Sequence, residues 1–98
     1  MTIDIRKMGN EAVVTVTGRL DTTTAPVLDK TLQENVHGTS TLTLDLKGLE
    51  YISSAGLRVL LSTQKRMRKS GAMKLRNVRE EVMEVFEMTG FADILDIE

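Results

Sequence analysis

The sequence predicts an α/β fold: a single domain with a mixed, mostly parallel sheet of four to five strands and packed helices, in the order ββαβαβαβ. Three observations carry this. Gly9-Asn10 is a turn signal between two short runs of strand-forming residues, which reads as an antiparallel hairpin. Beyond it, apolar stripes at helical spacing alternate with short strand patterns, the rhythm of parallel strands joined by helices. No Pro/Ser-rich linker, repeat or low-complexity segment divides the 98 residues, a length suited to one modest core.

Taken in order, Thr2 to Met8 alternates loosely with Ile3 and Ile5 on one face, and Ala12 to Thr17 is a β-branched run of high strand propensity. Gly18-Arg19-Leu20-Asp21 then turns the chain. Thr22, Thr23 and Thr24 offer capping hydroxyls, and Pro26 suits a first helical turn. Ala25, Leu28, Leu32 and Val36 make one stripe on a helix from about Ala25 to Val36, stopped by Gly38. Thr41 to Leu46 is a strand with Leu42, Leu44 and Leu46 on one face. After Gly48, Leu49, Tyr51 and Ile52 lead into a Ser53-Ser54 corner. The next helix runs from about Ala55 to Lys69, with Leu57, Leu60, Leu61 and Met67 buried, Gln64 as a polar interruption and Gly71 beyond its basic last turn. Met73 to Asn77 reads as a strand. Asn77 is placed to cap a helix from Arg79 that carries Glu80 and Glu81 in its first turn and ends at Thr89-Gly90. Phe91 should fold back over that helix end, and Ile94, Leu95 and Ile97 should form a last short strand.

Composition closes off several functions. With 41% hydrophobic and 28% charged residues the chain is an ordinary globular sequence, and its aromatic content of 3% leaves the core to Leu, Val, Ile and Met. There is no cysteine and one histidine, which excludes disulfides and thiolate chemistry and argues against zinc. No basic-then-apolar leader is visible and no apolar run approaches the length of a membrane span, so a cytoplasmic location without membrane insertion is expected. Charge is uneven. Arg58, Lys65, Arg66, Arg68, Lys69, Lys74, Arg76 and Arg79 occupy a stretch without acids, and the residues from Glu80 to Glu98 hold acids without bases. Without aromatic stacking platforms the basic block reads as a solvated helix face, and direct nucleic-acid binding is not expected.

Catalytic chemistry is poorly supported. There is no GxxxxGK[ST] or GxGxxG loop, so no nucleotide cofactor is implied. Ser54, His37 and Asp21 could be written as a triad. However, no elbow motif surrounds the serine, and His37 belongs to the far end of its helix. Asp21 and Asp45 stand near strand ends, Asp45 facing away from Leu44 and Leu46, and nothing marks either as a base. The Ser53-Ser54 corner is more promising. A serine at a helix start lies beside unpaired N–H groups and the positive end of the helix dipole. A phosphate on Ser54 would bring about −1.5 to −2 charges there, facing the N–H groups of Ala55, Gly56 and Leu57. Gly56 would let a phosphate or a partner's backbone approach. Ile52, Ala55 and Leu57 would form an apolar docking corner. Equally, Ser53 or Ser54 would serve as a helix cap with no further role.

Ile52-Ser53-Ser54-Ala55-Gly56-Leu57, after a strand ending Asp45-Leu46, resembles the signature of STAS domains, specifically the bacterial anti-sigma factor antagonists. Gly18-Arg19-Leu20-Asp21 and Thr89-Gly90-Phe91 fall at the matching places, so the resemblance spans nearly the whole chain. It implies a non-enzymatic regulator that binds an anti-sigma factor, itself a serine kinase, and so frees a sigma factor. The kinase would phosphorylate the antagonist, which then lets go, and a serine phosphatase would reset it. By motif position the acceptor is Ser54, with Ser53 as second choice, because many members carry Asp where this chain has Ser53. Asp21 carries over as a contributor to the partner interface, together with Ile52, Ser53, Ala55, Gly56 and Leu57. Arg58 stands where the family often has a small residue. It would face the phosphate, the partner or only solvent. The rival implication is a STAS docking subunit of a larger assembly, such as a membrane lipid-transport or stress-sensing complex, without phosphorylation.

Overall fold

The structure, a computed structural model, describes all residues from Met1 to Glu98. Strands β1 (Thr2–Met8) and β2 (Glu11–Leu20) form the expected antiparallel hairpin around Gly9-Asn10, with Met8 opposite Glu11 and Thr2 opposite Thr17. Strand β3 (Thr41–Asp45) runs parallel to the first half of β2, and β5 (Ala72–Arg76) runs parallel to β3. The sheet order is β1-β2-β3-β5, and β4 (Leu49–Ile52) pairs in parallel with the second half of β2. Because β1 holds the other edge of β2, β3 and β4 together act as one interrupted strand along it.

Helices α1 (Ala25–Asn35), α2 (Ser54–Arg68) and α3 (Glu80–Thr89) pack over one side of this sheet. The strand alternation explains why. Ala12, Val14 and Val16 of β2, Leu42 and Leu44 of β3, and Met73 and Leu75 of β5 are buried and share one face. Val13, Thr15, Thr43 and Lys74 on the other face stay half-exposed. Leu28 and Leu32 of α1, Leu60 and Met67 of α2, and Val82 and Phe86 of α3 complete the core. No helix is long and apolar enough to cross a membrane.

The element order is ββαββαβα followed by a 3₁₀ turn at Phe91–Asp93, which departs from the expected order at two places. Leu49–Ile52 is a true strand, hidden in the sequence because both its ends are buried and only two exposed residues separate them, so no alternation shows. The expected final strand is absent. Gly90, in the left-handed conformation at φ 81°, turns the chain sharply after α3, and Phe91 folds back against the core as anticipated. The segment that follows is curled, and only Ile97 bridges to Leu75, with Asp96 and Glu98 supplying the two backbone hydrogen bonds. Three side chains also differ from expectation. Leu61 is only half-buried, whereas Gln64 is buried and donates to the Ile94 carbonyl at 2.6 Å. Asn77 does not cap α3. It adopts φ 58° and donates instead to Asp45, while Arg79 is the residue that precedes the helix.

Candidate functional site

β2 and β4 run in parallel to the same end of the sheet, where Leu20 is paired with Ile52. Each strand then leads into a helix, β2 through Asp21 to α1 and β4 through Ser53 to α2. The Ser53 N–H donates to the Leu20 carbonyl at 2.9 Å, which ties the two exits together. The starts of α1 and α2 therefore lie side by side at the carboxyl ends of parallel strands, the end at which α/β sheets commonly place their binding residues.

At the α1 side, Asp21 organises the turn. Its Oδ1 accepts from the Thr23 hydroxyl at 2.8 Å, the Thr23 N–H at 3.0 Å and the Thr24 N–H at 3.1 Å, and the single proton of the Thr24 hydroxyl is shared between Oδ1 at 3.1 Å and the Arg19 carbonyl at 2.9 Å. In return the Asp21 N–H donates to Thr24 Oγ1 at 2.8 Å, a reciprocal closure like a capping box. These donors, the Thr23 hydroxyl foremost, lower the Asp21 pKa from 3.8 to about 2. The cap is thus supplied by Asp21 one turn early, and Thr24 at the helix boundary makes no side-chain cap of its own.

At the α2 side, Ser53 is the N-cap, with extended backbone (φ −95°, ψ 175°) and Oγ accepting from the Gly56 N–H at 3.4 Å. Ser54 is the first helical residue. It is exposed, and its hydroxyl makes no hydrogen bond within the protein. No acidic residue occupies the first turn of α2. Arg58 follows one turn later on the surface, its Nε 3.5 Å from the Ser54 carbonyl oxygen.

The structure brings Asp21, Ser53, Ser54, Ala55 and Arg58 to one corner, but it turns Ile52, Gly56 and Leu57 inward. Ile52 is 3% exposed and Leu57 6% exposed, so neither can form the apolar docking corner expected from sequence. Gly56 is also buried. A Cβ there would stand 2.8 Å from Ile52 Cγ1 and 2.8 Å from Leu20 Cγ, so its missing side chain makes room for the core and not for a ligand. Beside this corner runs a shallow groove between α1 and α2, lined by Thr22, Pro26, Asp29, Ala55, Arg58 and Val59, with Ala25 at its floor. The sequence did carry a signal for it. Thr22, Pro26 and Asp29 fall at helical spacing on the edge of the α1 stripe, as do Ala55, Arg58 and Val59 on α2.

The other candidates do not converge here. His37 is exposed beyond the C-terminal end of α1, about 16 Å along that helix from its start, so Ser54, His37 and Asp21 make no triad. Asp45 is engaged at the end of β3. Burial pushes its pKa up, but donation from Asn77 and the Lys47 N–H, together with Arg76, outweighs this and leaves it lowered. No three His, Cys, Asp or Glu side chains gather in a way that would hold a metal ion.

A family profile described as "Mlab, STAS domain" matches residues 3–96. The chain belongs to the STAS domain family. Within it the chain groups with the anti-sigma factor antagonists. It is 34% identical to the anti-sigma-B factor antagonist of Bacillus subtilis over 96 residues, covering 97% of this chain and 88% of that one. The fold matches the crystal structure of an anti-sigma factor antagonist from Mycobacterium paratuberculosis with a TM-score of 0.88 at 24% identity, over 98% of this chain and 83% of that chain. It also matches SpoIIAA of Bacillus. The unphosphorylated form gives a TM-score of 0.85 at 16% identity, over 99% of this chain and 88% of that one. The phosphorylated form gives 0.77 at 15%, over 99% and 91%. These relatives are named as antagonists, not as enzymes.

Proposed function

We propose that this STAS domain is a partner-switching antagonist. In its unmodified form it binds an anti-sigma factor that is also a serine kinase, and so frees a sigma factor for RNA polymerase. The kinase uses ATP to phosphorylate Ser54, the modified corner releases its partner, and a serine phosphatase restores it. The observation that supports this reading best is Ser54 itself, an exposed first-turn hydroxyl with no partner in the protein. Ser53 is the weaker acceptor because its oxygen is already the cap of α2. Asp21, the exposed part of Ala55 and Arg58 supply the surrounding contact surface, while Ile52, Gly56 and Leu57 shape it from beneath.

A phosphate at Ser54 would be tolerated by the fold, since it lies in solvent beside the positive end of α2. A docked partner would tolerate it less, because docking strips water from the new charge and sets it against any acidic neighbour. The switch therefore acts on binding with little change in the domain. Incubation with the cognate kinase and ATP, followed by mass spectrometry, should place one phosphate on Ser54, and Ser54→Asp should weaken kinase binding. Phosphate elsewhere, or Ser54→Ala accepting phosphate like wild type, would reject the reading.

The family description "Mlab, STAS domain" favours a second reading, a STAS subunit docked constitutively in a larger assembly. Purification of the native complex separates the two. An anti-sigma kinase as main partner supports the switch, and a transporter ATPase rejects it.

A further inference from the structure

Arg58 is placed to do more than line the groove. Ser54 and Arg58 are four residues apart on α2 and so share a face, with the acceptor on the N-terminal side, the favourable order for an acid–base pair on a helix. Helical side chains lean towards the helix N-terminus. The Arg58 Nε at 3.5 Å from the Ser54 carbonyl oxygen shows that this one does. The guanidinium is otherwise uncommitted. The ion pairs of the protein are Arg6–Asp4, Lys74–Glu98 and Arg76–Asp45, and none involves Arg58. The other bases of α2 (Lys65, Arg66, Arg68) lie in its last turn, about 16–21 Å from Ser54 along the axis. Arg19, from the neighbouring strand, is stacked on Tyr51 with its guanidinium carbon 4.2 Å from the ring centre.

Across the groove stands Asp29. Its Oδ2 accepts from Gln33 at 2.9 Å, while its Oδ1 is shielded from solvent and has no hydrogen-bond partner. A guanidinium and a carboxylate oxygen, both with unused capacity, thus line one groove. We propose that Arg58 is the positioning residue that pairs with a phosphate on Ser54. The proposal rests on Ser54 as the acceptor and adds how the modification is read. A phosphate offers more charge and more acceptor oxygens than Asp29, and a guanidinium can grip it with two parallel N–H donors. For a partner lying in the groove, phosphorylation then adds negative charge at the start of α2 and engages a guanidinium that is open to the partner in the unmodified protein.

The test does not require the kinase. Phosphoserine is installed genetically at position 54, and its second ionisation is followed by phosphorus NMR in the Arg58 protein, Arg58→Lys and Arg58→Gln. Pairing to a guanidinium stabilises the dianion, so the phosphate of the Arg58 protein should bind its proton about two- to fivefold more weakly than that of Arg58→Gln, the range expected of an exposed ion pair. Arg58→Lys should fall between them, and the Arg58 Nε–H resonance should follow the same titration. Asp21, Asp29 and the α2 terminus also act on this phosphate, but they are common to all three proteins and cancel in the comparison. Raised salt should shrink the difference. Coincident titrations of the Arg58 protein and the Arg58→Gln variant, or a tighter proton in the former, would overturn the proposal. Failure of any kinase to modify Ser54 would reject the acceptor reading alone and leave this measurement standing.

Discussion

Two helices begin at this corner, each just past a strand end, and each start is rich in hydroxyls, yet they are held in opposite ways. At α1 one Asp21 oxygen collects three donors from Thr23 and Thr24 and shares the Thr24 hydroxyl with the Arg19 carbonyl, and the Asp21 N–H is returned to Thr24. At α2 the Ser53 cap makes one long bond to Gly56, and the Ser54 hydroxyl beside it makes none. The first start draws Asp21, Thr23 and Thr24 into one network and leaves only the Thr22 hydroxyl, ahead of the helix, without a partner. The second leaves a hydroxyl and an unneutralised helix terminus facing water. What sets Ser54 apart is a free hydroxyl on the first residue of the helix itself, whereas the free Thr22 hydroxyl precedes the boundary residue of α1.

The two starts share a floor formed by Leu20 and Ile52, and the strongest challenge to the contrast lies there. Gly56→Ala would drive a Cβ to 2.8 Å from carbons of both residues, Leu20 being fully buried. Overpacking of this kind costs about 1–3 kcal/mol, offset only in part by the roughly 1 kcal/mol that alanine gains over glycine in helix propensity. Denaturant unfolding should show a lower midpoint with an unchanged slope. A variant as stable as wild type would mean that the floor dilates, and that the openness of α2 extends below its first turn.

A smaller effect is expected from the α1 side, and it depends on pH. The Asp21 pKa is depressed in the folded protein, from 3.8 to about 2. A depressed carboxylate contributes stability that is fully present above its unfolded pKa and lost as pH falls through the folded value. The gap in thermal stability between wild type and Asp21→Asn should therefore be constant at neutral pH and close progressively between pH 3.8 and about 2. Asp45, also lowered, is present in both proteins and leaves the gap unaffected. A gap that persists unchanged to pH 2 would show that the Asp21 network does not depend on its charge.

Much of the fold was legible because local signals agreed with tertiary packing. Gly9-Asn10, the Ala25–Leu28–Leu32 stripe and the Leu42–Leu44 alternation each specify one structure by themselves. The placement of Ser53, Ser54 and Asp21 at helix starts was legible, because such starts are marked by capping chemistry. The burial of Ile52, Gly56 and Leu57 was not. Burial at a strand-to-helix corner depends on what the neighbouring strand exit delivers, here Leu20, and no local pattern encodes that. Strand β4 and the curled segment after Gly90 escaped for a related reason. Each is too short for a period to show, and pairing to β2 or a single bridge to Leu75 decides its state.

The smallest expected effects sharpen the contrast within α2 itself. Ser53→Ala removes the only side-chain cap of the helix, but a bond of 3.4 Å is a weak one. Its loss should cost about 0.5 kcal/mol, the lower end of the range for cap removal. Ser54→Ala removes a hydroxyl without a protein partner at an exposed position, so the change should lie within about ±0.5 kcal/mol, and slightly towards stabilisation because alanine is the better helix former. Paired denaturation curves on the two variants resolve this order. If Ser54→Ala proved the more damaging, its hydroxyl would be a structural group already committed to the turn. The separation of roles at the start of α2, with Ser53 holding the helix and Ser54 remaining available for modification, would then fail.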